Sequence, residues 1–298
     1  MLTIQSISNK YSKKIDRLDL ELIIAHAIRK SREFVLAHPE CQISPTCNAK
    51  FEKLIRRRIN HEPLAYILGE KEFFGLNFKV NKNTLIPRPE TEQIIELAIH
   101  SAKNYSSHGK RYVMIDIGTG SGNIIIALAH SLKHISPKAK FYAIDISEKA
   151  LFVSKQNASF HKVDKKITFL HGNLLEPIKK ILTLKSQFSN LIITANLPYL
   201  SPKIHSSCSQ DIKKYEPKSA LISQEDGLAH YRRLLKQLRN IKQKCSALRV
   251  SCFMEISPEQ KTKISKIIKK YFSDSEIIFH KDLSKRWRIC ELEIFNYQ

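Results

Sequence analysis

Glycine is scarce in this chain, with eight among 298 residues, and tryptophan occurs once. Long apolar runs are missing as well: none reaches the roughly 18 residues of a membrane span. The start, Met1 to Lys14, is too polar for the apolar region of a signal peptide. A cytoplasmic protein with no membrane partner is expected. Six cysteines (Cys41, Cys47, Cys208, Cys245, Cys252, Cys290) are scattered, with no Cys-x-x-Cys pair and no histidine at zinc-like spacing. That pattern suggests neither a disulfide frame nor a metal site. Acidic residues are the charge in short supply, 28 against 50 basic ones, leaving a net charge of +22. Such an excess attracts a polyanion, RNA or a ribosome-associated complex. It equally fits a composition rich in lysine and isoleucine, because the basic residues are spread along the chain.

What is present is ordinary globular material: 42% hydrophobic and 26% charged residues, over a length that allows two domains. Residues 15 to 36 place Ile15, Leu18, Leu22, Ile23, Ala25 and Ile28 at three and four spacings, which predicts one amphipathic helix. A more basic helix is expected over Ala49 to Ile59. Aromatic and branched residues around Gly75 and Asn77, in Glu72 to Val80, predict a short hairpin. The expected organisation is therefore a helical domain over 1–70, a β-hairpin linker over 71–86 and a larger domain over 87–298. In that larger domain apolar runs at Tyr112–Ile117, Phe141–Ile146, Ile167–Leu170, Leu191–Ala195 and Leu248–Ile256 alternate with helical stretches near 122–133, 147–160, 226–243 and 258–271. The alternation predicts an α/β fold, a doubly wound and mostly parallel sheet. Asn104 to Lys110 reads as a loop.

Three of the eight glycines fall in Gly118-Thr-Gly-Ser-Gly122, directly after the first of these strands and directly before an apolar helix. Glycines there let the backbone approach a ligand at the carboxyl ends of the strands. A tight turn without a ligand is the plainer alternative. A dinucleotide fingerprint would put its third glycine where Asn123 stands, which argues against NAD. Asp145 ends the next strand, 27 residues beyond Gly118, where a carboxylate can accept from both hydroxyls of a ribose. Taken alone it could be a helix cap. Asp116 could hold the loop or receive a ligand ammonium group. The pattern Ile115-Asp-Ile-Gly-Thr-Gly-Ser-Gly122, then Ala143-Ile-Asp-Ile146, resembles the class I S-adenosylmethionine-dependent methyltransferases.

After the fourth strand comes Thr194-Ala-Asn-Leu-Pro-Tyr-Leu200. A planar nitrogen is a weak nucleophile because its lone pair is delocalised, so a site that methylates one must orient it. The Asn196 side-chain oxygen and the backbone carbonyl of Leu197 can together accept both hydrogens of an NH2 group. Pro198 would fix the turn and Tyr199 would pack beside the planar acceptor. The run is similar to the Asn-Pro-Pro-Tyr motif of enzymes that methylate amide or exocyclic amino nitrogens, with Leu197 in place of the first proline. Asn-Leu-Pro-Tyr also resembles the motif of ribosomal RNA adenine dimethyltransferases, and an Asn-x-Pro turn with no ligand is the structural alternative.

Several further runs resemble the peptide chain release factor glutamine methyltransferases: Arg57 to Gly69, Phe73 to Val80, Leu85-Ile-Pro-Arg-Pro-Glu-Thr-Glu92, Tyr215 to Leu221, Asp226-Gly-Leu228, Met254-Glu-Ile256 and Lys281 to Arg288. That resemblance spans residues 20 to 296. It implies methylation of the amide nitrogen of the glutamine in the Gly-Gly-Gln loop of class I release factors, with S-adenosyl-L-methionine as cofactor. It implies a helical amino-terminal domain that docks the release factor, and a seven-stranded class I methyltransferase sheet whose last strand pair includes an antiparallel strand. Gly118, Thr119, Gly120, Ser121, Gly122, Asp145, Asn173, Leu174 and Asn196 would bind the cofactor. Asn196, Leu197, Pro198 and Tyr199 would bind the glutamine, and Asn196, Pro198 and Tyr199 would carry catalysis. No metal is implied, and the protein is expected to be a monomer. An adenine-N6 methyltransferase acting on RNA or DNA is the alternative function.

Two surface readings complete the set. Pro87 to Glu92 has the prolines and acids of a helix start, from which Arg88 would brace the site against Glu216. Arg286, Trp287 and Arg288 could stack on nucleic acid, or Trp287 could simply be packed near a terminal strand.

Overall fold

A computed structural model describes residues 2–107, 111–135, 139–184, 189–224 and 226–295. It contains a two-stranded hairpin, Glu70–Phe73 (β1) and Leu76–Lys79 (β2), and a seven-stranded sheet. The sheet strands are Tyr112–Ile117 (β3), Lys140–Asp145 (β4), Ile167–His171 (β5), Asn190–Ala195 (β6), Arg249–Glu255 (β7), Glu276–Lys281 (β8) and Trp287–Ile294 (β9), in the order β5-β4-β3-β6-β7-β9-β8. All neighbours are parallel except β7–β9 and β8–β9. The fold is α/β with a mixed sheet, and the order reverses beside β3.

The central strands β3 and β6 are buried at every position because helices cover both faces. Side chains alternate across the sheet. Val113, Ile115 and Ile117 join the core with Leu234, Leu235 and Leu238 of helix Ala229–Lys244 and with Ile264 and Ile268 of helix Lys261–Tyr271. Tyr112 and Met114 point the other way, to Ile94 and Ile95 of helix Glu92–Ser107 and to Ile125 and Leu128 of helix Asn123–Ser131. Each fully buried Ile or Leu is worth about 1.5–3 kcal/mol, so these two layers hold the loops at the strand ends in place.

The hairpin turns at Phe74 and Gly75, both at positive φ, the conformation a two-residue turn requires. The Phe74 amide donates to Glu92 Oε1 at 2.8 Å, and Phe73 and Phe78 enter the core of the sheet domain. Asn104–Ser107 form the last turn of helix Glu92–Ser107 rather than a loop; residues 108–110 lie outside the described residues.

Backbone contacts divide the chain into two units, Met1–Glu70 with Ser209–Tyr215, and Lys71–Cys208 with Glu216–Gln298. In the first unit the single helix expected over 15–36 is instead two, Arg17–Ile28 and Arg32–Ala37. Arg29 adopts the left-handed conformation and ends the first helix, and Ser31 caps the second by accepting from the Phe34 amide. The basic helix starts earlier than expected, at Pro45, because Ser44 caps it and proline suits a first helical position. Ile7, Ile23, Ile24, Phe51 and Ile55 make this unit's core, beside which Arg17 and Arg32 hold the buried carboxylate of Glu21. Among the described residues all six cysteines are free, and no helix is long and apolar enough to cross a membrane.

Candidate active site

The glycine loop leaves β3 with Gly118, Gly120 and Gly122 all at positive φ. The Gly118 and Thr119 amides both donate to the Ile144 carbonyl, at 2.8 and 3.0 Å. Gly118 holds a φ of 71°, a conformation that favours glycine, and a Cβ there would stand 2.9 Å from the Leu197 side chain, so glycine suits the place where this loop lies against the Asn196–Tyr199 segment. A Cβ on Gly122 would meet Ser154 Oγ at 2.3 Å. That glycine seats the loop on helix Glu148–Phe160 and does not line the cavity.

Asp145 closes the loop from the end of β4. Its Oδ2 accepts from the Gly120 amide at 2.9 Å and its Oδ1 from the Ser147 amide at 2.8 Å. Burial raises its pKa despite these two bonds. The cap of the following helix is Ser147, so Asp145 is free of that duty, and each oxygen keeps a lone pair for a further donor. Asn157, which the sequence reading did not single out, is fully buried and donates to the Ser121 carbonyl at 2.8 Å and the Lys79 carbonyl at 3.0 Å. Buried asparagines of this kind carry no sequence signal.

Of the two roles open to Asp116, the geometry supplies the first. Thr119 Oγ1 donates to one of its oxygens at 2.7 Å and Thr194 Oγ1 to the other at 2.9 Å, so this buried carboxylate ties the glycine loop to β6. Burial pushes its pKa up to about 6. A raised carboxyl pKa is worth stability that is fully present below the unfolded value and is lost as pH rises through the folded one. Between pH 4 and 6, Asp116 therefore costs the fold roughly 3 kcal/mol, at 1.36 kcal/mol per pH unit. Asp116→Asn, which offers one acceptor to the two hydroxyls, is expected to remove that pH dependence, so that its stability relative to the parent rises from pH 4 to 6 and is level above. Urea unfolding at pH 4.5 and 7.5 measures this; a difference independent of pH would contradict it.

Beyond β6 the chain runs Asn196-Leu-Pro-Tyr199. Leu197 is buried in the sheet core, and its amide donates to the Tyr231 hydroxyl at 3.4 Å. Proline lacks that N–H, so Leu197 stiffens the loop by a different device than a second proline. Tyr199 does not line the cavity: its hydroxyl donates to Glu255 Oε1 at 3.1 Å, and burial followed by the Glu255 charge drives its pKa up, keeping it protonated. Its carbonyl accepts from Gln260 Nε2 at 2.9 Å. Gly227, from the Asp226-Gly-Leu228 run, comes so close to the same carbonyl that a Cβ would lie 2.2 Å from it.

One open cavity joins these pieces. Gly118, Thr119, Gly120, Ser121, Asp145, Asn173, Leu174, Asn196, Leu197 and Pro198 line it; among the sequence candidates Gly122 and Tyr199 do not. Leu174 holds a left-handed backbone, φ 55°, a strained state for a leucine. Thr91 and Arg88 also line the cavity. The expected brace is present: Arg88 pairs with Glu216, which is buried and also accepts from the Ile86 amide at 3.3 Å. Arg88→Ala would strand that carboxylate, at an expected cost of about 2–4 kcal/mol since Arg88 is itself partly exposed. A thermal melt checks this, and an unchanged melting temperature would refute it.

The Arg286-Trp-Arg288 segment is otherwise engaged. Lys261 and Lys281 place their ammonium groups 3.5 and 4.6 Å from the Trp287 ring centroid, and Phe279 packs against the ring edge-on. Arg288 pairs with Asp282 at 3.2 Å.

Comparison with known proteins agrees with this arrangement. Residues 108–273 match the family described as "Methyltransferase domain", and residues 8–69 match "PrmC N-terminal domain". The hMettl16 catalytic domain, solved in complex with an RNA hairpin, superposes with a TM-score of 0.54 at 16% identity, over 76% of this chain and 77% of that one, a likeness of fold. The sheet domain is thus a class I methyltransferase domain.

A release factor glutamine methyltransferase of Bacillus cereus is 30% identical over 92% of both chains. Another, of Nitratidesulfovibrio vulgaris, is 35% identical over 72% of this chain and 68% of its own. A bifunctional methyltransferase of Rickettsia bellii is 32% identical over 93% of this chain, which spans about half, 51%, of that longer protein. The chain belongs to the release factor glutamine methyltransferase family.

Proposed function

We propose that this protein uses S-adenosylmethionine to methylate the side-chain amide nitrogen of the glutamine in the Gly-Gly-Gln loop of class I release factors. The observation that carries the reading is a single cavity lined both by the glycine loop with Asp145 and by Asn196 to Pro198. The donor set suits the cofactor. Asp145 has acceptor capacity left for ribose hydroxyls, and the loop at Gly118 and Gly120 lets the backbone come close to a bound molecule. Gly118 to Ser121, Asp145, Asn173 and Leu174 would hold it, with Gly122 fixing the loop from behind. Bound there, the cofactor supplies an electrophilic methyl group on a sulfonium.

The rest of the reaction is positioning. Asn196 Oδ1 and the Leu197 carbonyl accept the two hydrogens of the glutamine amide, which aims its nitrogen and holds it still. Pro198 sets the turn, and Tyr199, tied to Glu255, supports it from behind. No strong base is required, because the nitrogen becomes cationic on methylation and then releases its proton. The helical region 8–69 would dock the release factor. The +22 charge supports electrostatic attraction to the ribosome or RNA, and the protein would act as a cytoplasmic monomer.

Methyl-labelled cofactor offered with a release factor and with adenine-containing RNA in separate reactions tests the substrate. Label in the release factor, lost when its Gly-Gly-Gln glutamine is replaced, supports the reading; label in RNA alone overturns it.

A further inference from the structure

Asn196 can serve a substrate amide only if its oxygen, not its NH2, faces the substrate. We propose that Thr91 and Glu255 enforce that choice, as positioning residues in a hydrogen-bond relay of fixed polarity. The inference rests on the reading of the site as a glutamine methyltransferase.

Thr91 ends the 3-10 turn Pro89–Thr91, and Glu255 ends β7, next to the strand that delivers Asn196. Both are buried, 1% and 2% exposed, in a place where an unsatisfied polar atom is costly. The hydroxyl of Thr91 has one proton, and it goes to Glu255 Oε2 at 2.6 Å. Its oxygen is then left to accept, and it accepts from Asn196 Nδ2 at 3.1 Å. With the NH2 end committed inward, Oδ1 is the end left for the cavity. Tyr199 donates to the other carboxylate oxygen, so one carboxylate orients both polar side chains of the Asn196–Tyr199 motif.

The polarity depends on Glu255 accepting. Around it stand Thr91, Tyr199, Arg288 and Glu90, with the Tyr231 hydroxyl on its backbone carbonyl and Arg88 beyond Tyr199. If Glu255 donated to Thr91 instead, Thr91 would donate to Asn196, and the amide would turn its NH2 toward a substrate NH2. Burial raises the Glu255 pKa while Thr91, Arg288 and Tyr199 oppose the rise, so acidification would reverse the relay.

Thr91→Val, Thr91→Ser and Glu255→Gln in the full chain separate positioning from architecture. Thr91→Val is expected to lower kcat at least about 30-fold with cofactor Kd within about twofold, and Thr91→Ser to restore kcat to within about fivefold. Glu255→Gln keeps the shape but offers one acceptor for two hydroxyl donors. It is expected to lower kcat similarly and to remove the acid limb of the pH profile. If Thr91→Val does not fold, as a thermal melt reveals, Glu255→Gln decides. Parent-like kcat in Thr91→Val or Glu255→Gln, equal impairment by valine and serine, or loss of cofactor affinity in proportion to kcat overturns the relay. A parent enzyme that transfers no methyl to a release factor overturns the reading of the site instead.

Discussion

Asn196→Ala is expected to lower methyl transfer by at least about 10³-fold while cofactor Kd stays within about twofold. The asymmetry follows from what this side chain touches. Its NH2 donates to Thr91 and it lines the cavity together with Leu197 and Pro198, whereas the glycine loop is held by Asp145, Asp116 and Asn157. Removing the side chain leaves the loop intact. On the proposed reading it takes away one of the two acceptors for the glutamine amide, so the nitrogen would be neither aimed nor immobilised, and alignment of the reacting atoms is where such a site gains its rate. Single-turnover transfer together with calorimetric cofactor binding measures both quantities. Equal loss of both would contradict the division.

The mirror result is expected of Asp145→Ala: cofactor Kd rises by about 10²-fold, and transfer at saturating cofactor falls far less. Two backbone amides donate to this carboxylate, one from the glycine loop and one from the turn after β4. Hydrogen bonds to a charged group are worth about 1.5–3 kcal/mol each. On the proposed reading the variant loses the loop closure and a ribose acceptor together, and two such bonds exceed the roughly 2.8 kcal/mol that a hundredfold change requires. Cofactor titration of the variant settles it; an unchanged Kd would remove Asp145 from the cofactor site.

The parts of this molecule that were legible in its sequence are those that rest on short-range chemistry. β3 reads as Tyr112–Ile117 in sequence and structure alike, because a strand buried on both faces is apolar at every position except Asp116, whose carboxylate Thr119 and Thr194 satisfy. The glycines of 118–122 stood out against a chain with eight in all. The sign of a split within 15–36 is the run Arg29 to Glu33, which holds no apolar residue; the left-handed arginine itself leaves no composition signal. Helix Ile4–Tyr11, capped by Thr3, is too short and polar to register by periodicity. The relay of Thr91, Glu255 and Asn196 joins residues 164 and 105 positions apart, a closeness that only the sheet order creates. The Arg88–Glu216 pair joins residues 128 positions apart.

The most direct test of the central claim is mass spectrometry of a class I release factor after incubation with the protein and S-adenosylmethionine. The account requires one added methyl group on the glutamine of the Gly-Gly-Gln loop, absent with Asn196→Ala. A cofactor site shown to be active, with that glutamine left unmodified, would contradict it.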